Sequence, residues 1–275
     1  MDQSKICITC GTEYPKHSKD SLCVICADDR QYFPESGQAW TSHDKLLKDH
    51  AVRIAPISAT VYEFDISPKF AIGQRAFFIK SNGGNILWDC IPLLDPGLIS
   101  FIKEHGGLAA IAISHPHYYS NMHQWAEQFD CPIYLHGADQ QWIVGPRERV
   151  QNWNGAEKKL WDGISIIHTG GHFPGSTVLY VPAENEKTPS QKQNAPAGFG
   201  TALYCGDSFV VSPSKKHIAV MYSYPNRIPL PVAEVERITE LISKLEFDSI
   251  YSFQQYLEVT GNAKDVFLES MKRYR

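Results

Sequence analysis

Residues 108–117 read LAAIAISHPH and carry the clearest structural signal in the chain. The segment from Leu108 to Ile113 is a continuous apolar run, which predicts a buried strand. His115 and His117 follow this strand directly, and alternate residues of an extended backbone point to the same side. We therefore expect the two imidazoles to converge on one metal ion at the end of the strand.

Two other short segments carry groups of the same kind. Residues 169–176, TGGHFPGS, set His172 in a glycine-rich turn between two predicted strands, and residues 204–208, YCGDS, put Asp207 just past another apolar strand. Each motif alone fits a hydrogen-bonded structural role equally well. Together with the histidine pair they offer three imidazole nitrogens and one carboxylate oxygen at strand ends. This set suits Zn(II) with an open coordination position, or Fe(II).

Strands and helices alternate from Val52 onward, which predicts a core that mixes both. Residues 81–84, SNGG, tolerate positive φ and predict the turn of a hairpin. The polar segment 182–200 is expected to be a surface insertion. The predicted strands span 74–80, 85–88, 108–113, 132–135, 164–168, 177–181 and 201–205, and the predicted helices span 96–105, 121–129, 232–245 and 262–274.

The N-terminal segment carries a second metal signal. The pairs Cys7-x2-Cys10 and Cys23-x2-Cys26 offer four thiolates, a spacing typical of a tetrahedral structural Zn2+ site. So short a segment has little core, and the ion itself would supply much of the folding free energy. Reduced structural thiols, or a redox role for one pair, are the alternatives. We therefore predict a four-cysteine, zinc-ribbon-like knuckle at 1–35, a linker at 36–50 and a main domain at 51–275.

Composition and charge restrict the partners. The chain has 275 residues, with 26 Lys and Arg against 30 Asp and Glu, a net charge of −4 and a pI near 6.3. No basic field is available to attract nucleic acid or an anionic membrane, so we expect a small-molecule substrate. No apolar run approaches the length of a membrane span and the first residues are polar, which predicts a cytoplasmic protein. The sequence leaves open whether the chain forms a homo-oligomer.

Four motifs occur in the order found in a known superfamily. Residues 87–90, LWDC, are similar to its strand that ends in Asp, and residues 114–120, SHPHYYS, align with its Thr-His-x-His-x-Asp-His signature. Residues 171–176, GHFPGS, are similar to its Gly-His-Thr-Pro-Gly-Ser turn, and Gly206-Asp207 to its Gly-Asp pair. The chain thus resembles the metallo-β-lactamase-fold superfamily, which includes glyoxalase II, lactonases and persulfide dioxygenases. The resemblance implies an α+β fold, an αββα sandwich with metal ions at one edge.

The chain also departs from this pattern. Tyr119 and Ser120 stand where the signature has Asp and His, and Phe253 stands where the last metal-binding His would be. The resemblance therefore implies that the second metal site is lost. It implies a single ion with a ligand set made of His115, His117, His172 and Asp207.

The resemblance implies a metal-dependent hydrolase of a small ester, thioester or lactone. A water activated by one Zn2+ or Fe2+ ion would be the nucleophile, with Asp207 as ligand and catalytic residue. Tyr119, or its neighbour Tyr118, would donate a hydrogen bond to the substrate oxygen. Two alternatives remain. His115, His172 and Asp207 match the Fe(II) ligands of persulfide dioxygenases, and the three lost ligands would also fit a catalytically impaired binding scaffold.

Overall fold

A computed structural model describes residues 4–183 and 200–274 of the chain. Its N-terminal part is a small antiparallel sheet of order β2-β1-β3, with β1 Lys5–Cys7, β2 Glu13–Tyr14 and β3 Trp40–Thr41. Helix α1 follows at His43–Asp49. The segment 36–50, expected to be a linker, therefore contains both a strand and a helix. The boundaries of the three predicted segments stay a prediction.

The next part of the chain forms a seven-stranded sheet of order β10-β9-β8-β7-β6-β5-β4. Its strands are β4 Ala51–Pro56, β5 Val61–Ser67, β6 Arg75–Ile79, β7 Ile86–Trp88, β8 Ala110–Ala112, β9 Ile133–His136 and β10 Val150–Trp153. Helices α2 Pro96–Glu104 and α3 Met122–Phe129 lie between strands β7 and β9. The predicted hairpin is confirmed by the antiparallel pairing of β6 with β7, whereas β7 to β10 run parallel.

The last part forms a six-stranded sheet of order β11-β12-β13-β14-β19-β20 and two small ribbons. The strands are β11 Glu157–Lys159, β12 Ser165–His168, β13 Thr177–Val181, β14 Ala202–Tyr204, β15 Val210–Val211, β16 Ile218–Ala219, β17 Met221–Ser223, β18 Ile228–Pro229, β19 Ser249–Tyr251 and β20 Glu258–Val259. Helices α4 Val232–Ser243 and α5 Ala263–Met271 complete the part. The predicted insertion at 182–200 lies almost entirely outside the described residues.

Alternating strand residues build the layers of the sandwich. Phe77 of β6 packs between the two sheets with Tyr204 of the second sheet, whereas its neighbour Phe78 faces the cluster that holds α2 and α3. In the second sheet, Leu203 faces the cluster that holds α4 and α5. Because successive side chains of a strand point to opposite faces, each sheet buries one face on its partner and the other on helices. This αββα arrangement confirms the predicted α+β fold class.

No helix among the residues that the structure describes is long and apolar enough to cross a membrane.

Candidate metal centre

The first two candidate ligands lie at the end of β8, but not in the predicted conformation. His115 is extended with φ −171°, whereas Pro116–Tyr118 forms one turn of 3-10 helix, so His117 does not belong to an extended strand. The expected alternation of an extended backbone is therefore wrong as the reason for their approach. The turn that begins at Pro116 brings the two rings together instead, with their centroids 5.1 Å apart.

The other two candidate ligands come from the second sheet. His172 lies in the turn between β12 and β13, and Asp207 lies three residues beyond the end of β14. Gly206, at φ +50°, has no room for a side chain, because a Cβ there would clash with Ser114 Oγ, next to His115. A glycine is thus required for Asp207 to approach the histidines, and each sheet supplies two of the four groups.

The four groups form one compact set. Their donor atoms all lie within 4.8 Å of one another. Asp207 Oδ2 lies 3.5 Å from His115 Nε2, 3.7 Å from His117 Nδ1 and 3.7 Å from His172 Nε2. Donor atoms arranged as a tetrahedron at roughly 2.0–2.2 Å from an ion lie about 3.3–3.6 Å from one another. The observed spacing therefore fits one transition-metal ion.

The hydrogen bonds of the histidines leave ligand atoms free. His172 Nδ1 lies 3.2 Å from the carbonyl oxygen of Met221 and must carry the proton, so its Nε2 presents a lone pair. His115 Nδ1 lies 2.8 Å from Ser114 Oγ, which fixes its ring. His115 Nε2, His172 Nε2 and Asp207 Oδ1 are buried without a partner within residues 4–183 and 200–274. Unpaired buried polar atoms are costly, and an ion would satisfy all three.

Electrostatics favour the protonation states that a metal needs. Burial lowers the pKa of His115 and lowers that of His172 further, so both imidazoles are neutral at neutral pH. Burial alone would raise the pKa of Asp207, but the facing imidazoles, His115 foremost, outweigh it and hold this pKa well below its usual range. Neutral imidazoles and an ionised carboxylate are the ligand forms of these side chains.

The four N-terminal cysteines form a second compact set. Cys7, Cys10, Cys23 and Cys26 are buried and unpaired in disulfides, with their sulfurs within 4.8 Å of one another. The Sγ atoms of Cys10 and Cys23 are 3.5 Å apart, and those of Cys7 and Cys26 are 3.7 Å apart. Four sulfurs at about 2.3 Å from a tetrahedral zinc ion would be about 3.8 Å apart. The geometry fits the metal site that the CxxC spacing predicts.

A cavity of about 160 Å³ opens onto the histidine and aspartate set. Its walls are mostly apolar or uncharged, and they consist of Gln31, Ile72, Gln74, His117, Tyr118, Asp207, Tyr224, Pro225 and Phe253. No Lys or Arg among the described residues belongs to this lining. Gln31, Ile72 and Gln74 could not be predicted as lining residues, because single amide and aliphatic side chains have no diagnostic spacing in the sequence.

The two tyrosines that follow His117 differ in position. Tyr118 lines the cavity, and burial raises the pKa of its hydroxyl well above the ordinary value. Tyr119 is also buried, but its hydroxyl donates to the carbonyl oxygen of Asp139 at 3.4 Å and does not reach the cavity lining. Of the two candidate tyrosines, the structure puts Tyr118 and not Tyr119 in the cavity lining.

Three other histidines have structural partners. His123 Nε2 lies 2.9 Å from the carbonyl oxygen of Val144, and the rings of His136 and His168 stack at 3.8 Å. Among the described residues, no further group of three or more His, Cys, Asp or Glu side chains has its ligand atoms close enough together to hold one metal ion. Phe253 lies on the cavity wall.

One comparison found a relative that matches nearly the whole chain. No family profile matches the chain. The chain is 36% identical over 272 residues to the uncharacterized protein YmaE of Bacillus subtilis. The aligned region covers 98% of this chain and 94% of YmaE.

Solved structures with a similar fold are metallo-β-lactamases. The DIM-1 enzyme matches with a TM-score of 0.57 at 13% identity, over 82% of this chain and 98% of its own. The mono-zinc form of FIM-1 from Pseudomonas aeruginosa matches with a TM-score of 0.55 at 12% identity, over 81% of this chain and 95% of its own. At such identities the likeness establishes the fold alone.

Proposed function

This chain belongs to the same family as YmaE of Bacillus subtilis and has the metallo-β-lactamase fold, and from this premise we propose that it is a metal-dependent hydrolase. The observation that carries the proposal is the set of unpartnered donors on His115, His172 and Asp207 beside an open cavity. When bound, the ion would supply Lewis acidity and lower the pKa of water toward neutrality. The residues themselves hold the ion and shape the space for the acyl group.

The cavity supports a small, uncharged acyl substrate. Its volume of about 160 Å³ is close to that of an apolar cavity that holds benzene, so it accommodates an acyl group of roughly six non-hydrogen atoms. Tyr224, Pro225 and Phe253 provide apolar walls, and the lining offers no cation to bind a carboxylate or phosphate. We favour small esters, thioesters and lactones, whose hydrolysis gives a carboxylic acid and an alcohol or thiol.

Tyr118 is the hydrogen-bond donor in this proposal. Its raised pKa keeps the hydroxyl protonated, and no described residue accepts a hydrogen bond from it. Beside His117 and Asp207 it can donate to the substrate carbonyl oxygen, where negative charge develops during attack by water. Tyr118→Phe is expected to lower kcat/KM by about 100- to 1,000-fold, the effect of losing one such donor. Tyr119→Phe is the matched control and should leave kcat/KM unchanged.

The position of His117 favours zinc chemistry over an iron dioxygenase. His117 Nδ1 is as close to Asp207 Oδ2 as His172 Nε2 is, at 3.7 Å, which supports a set of three nitrogens and one oxygen. A dioxygenase of this superfamily would use two histidines and one carboxylate. The proposal therefore includes one Zn2+ ion at the histidine set and one at the four cysteines.

Metal content and turnover test this function together. Inductively coupled plasma mass spectrometry should find about two zinc ions per chain, and about one in the double variant His115→Ala, His172→Ala. The wild type should hydrolyse members of a panel of small esters, thioesters and lactones, and the double variant should not. A wild-type protein with iron at the histidine and aspartate site, or with no turnover across the panel, would contradict the proposal.

A further inference from the structure

The four-cysteine segment, which carries Cys7, Cys10, Cys23 and Cys26, is packed against the sandwich beside the histidine and aspartate site. Its cysteines share one hydrophobic cluster with Tyr119 and Phe173, which flank the two histidine motifs. The backbone N–H of Glu13 donates to the carbonyl oxygen of Ser120 at 3.1 Å, three residues beyond His117. The segment therefore reaches the loop that carries two of the candidate ligands.

Gln74 joins the two metal sets through one side chain. Its amide nitrogen, Nε2, donates to the carbonyl oxygen of Cys10 at 2.6 Å and to that of His117 at 3.2 Å. A primary amide has two N–H groups, and here both are used. Gln74 is only 2% exposed, so water cannot readily replace either bond. Gln74 thus holds the backbone at Cys10 and the backbone at His117 at a fixed distance from each other.

Arg30 makes a second connection, four residues beyond Cys26. Its Nε donates to the carbonyl oxygen of His172 at 2.5 Å, and its Nη1 bonds both carboxylate oxygens of Asp28 at 2.8 and 3.0 Å. The guanidinium lies over the rings of Phe173 and Tyr222, at 4.5 and 4.2 Å. A planar cation that is stacked and bonded in this way has little freedom to move. It therefore fixes the backbone of His172 relative to the cysteine segment.

We infer that the four-cysteine site is a positioning element for the histidine and aspartate site, acting through Gln74 and Arg30. The inference rests on the part of the proposed function that puts a metal ion at that site. The two side chains bond the carbonyl groups of different ligand residues, one from each sheet. Loss of a hydrogen-bonding partner behind a metal ligand costs roughly 10- to 100-fold in metal affinity. Because coupling between two binding sites is reciprocal, occupancy of either site raises the affinity of the other by the same factor.

The test measures metal affinity at the histidine site in the full-length protein with its thiols kept reduced. Zinc fills the four-cysteine site first, and cobalt(II) is then titrated as a spectroscopic probe of the histidine site. Gln74→Met and Arg30→Met remove the bridging donors while retaining bulk. We expect each to bind cobalt roughly 10- to 100-fold more weakly than the wild type. Arg30→Lys, which keeps a charged donor, should recover part of the affinity.

Gln124→Met is the matched control. Gln124 also connects the cysteine segment to the sandwich, because its Nε2 donates to Glu13 Oε1, but it contacts no candidate ligand. Its cobalt affinity should equal that of the wild type. In a separate titration of metal-free protein, cobalt at four thiolates gives an intense sulfur-to-metal absorption. This band should be retained in every variant and report that the cysteine site is intact.

Two outcomes would overturn the inference. Equal cobalt affinity in wild type, Gln74→Met and Arg30→Met would show that the cysteine site does not position the ligands. An equal loss in Gln124→Met would show that any weakened contact with the segment has the same effect. A wild-type protein that binds cobalt at both sites but hydrolyses no substrate refutes the proposed function alone, since the affinity comparison does not depend on turnover.

Discussion

Ionisation of Asp139 should reduce the stability of the folded protein as the pH rises. This carboxyl group is 1% exposed, its Oδ1 accepts a hydrogen bond from the N–H of Gly175 at 2.7 Å, and its Oδ2 has no partner among the described residues. Burial raises its pKa to about 7, against the opposing effects of the Gly175 N–H and the nearby Arg30. The protonated form is therefore favoured in the folded protein, while the unfolded chain ionises near pH ~3.9.

The sign and size of the effect follow from this difference. Between the unfolded pKa and about pH 7 the folded state binds more protons than the unfolded state, so the free energy of unfolding falls as the pH rises. Each pH unit in this window costs about 1.4 kcal/mol, and the total is on the order of 4 kcal/mol by pH 8. The side chain in Asp139→Asn cannot ionise and should lack this loss.

Urea denaturation of wild type and Asp139→Asn from pH 5.5 to 8.5 measures the effect. Metal release at low pH affects both proteins, so the difference between their free energies of unfolding isolates the carboxyl group. We expect Asp139→Asn to gain about 2 kcal/mol over the wild type between pH 5.5 and 7, and little more above pH 8. The exposed control Asp130→Asn should show no such change. A difference for Asp139→Asn that stays constant across this pH range would refute the reasoning.

Three other changes test the fold and its metal sites. Gly206→Ala forces a Cβ against Ser114 Oγ at a positive φ, and thermal or urea unfolding should show a loss of about 2–4 kcal/mol together with weaker metal binding at the histidine site. Leu179→Ala removes a fully buried side chain between the sheets and should cost about 2–5 kcal/mol in the same assay, with the metal content unchanged. Chelation with EDTA should lower Tm, and added zinc should restore it. Zinc binding at one site should raise the free energy of unfolding by about 2.7 kcal/mol when the free zinc concentration is 100-fold above Kd. A Tm that responds to neither treatment would show that neither metal set stabilises the chain.

The long periodic elements could be predicted from the sequence because local patterns determine them. The hairpin around residues 81–84 and helix α4 follow from turn chemistry and from apolar residues at helical spacing, and both are present. The histidine and aspartate set was also predictable, since strand ends at one edge of a sandwich lie close together. Strands of two residues, such as β15 and β18, have no pattern of their own and depend on tertiary contacts.

The site details that could not be predicted depend on contacts between distant residues. The turn at Pro116 decides how His117 approaches His115, and the SHPH motif alone does not distinguish this turn from an extended strand. The separation of Tyr118 from Tyr119 depends on the carbonyl of Asp139, 20 residues away along the chain. Gln74 has no motif at all, and only the folded chain shows that it bridges Cys10 and His117.

Because the ligands are divided between the two sheets, an ion can bind tightly at this site only after both sheets have formed and packed together. His115 and His117 follow a strand of the first sheet, while His172 and Asp207 follow strands of the second. A folding intermediate with only one ordered sheet would present two donors, too few for tight binding. The rate of cobalt binding during refolding would therefore measure the rate at which the two sheets pack against each other. The ion would also preferentially stabilise chains in which both halves have folded correctly.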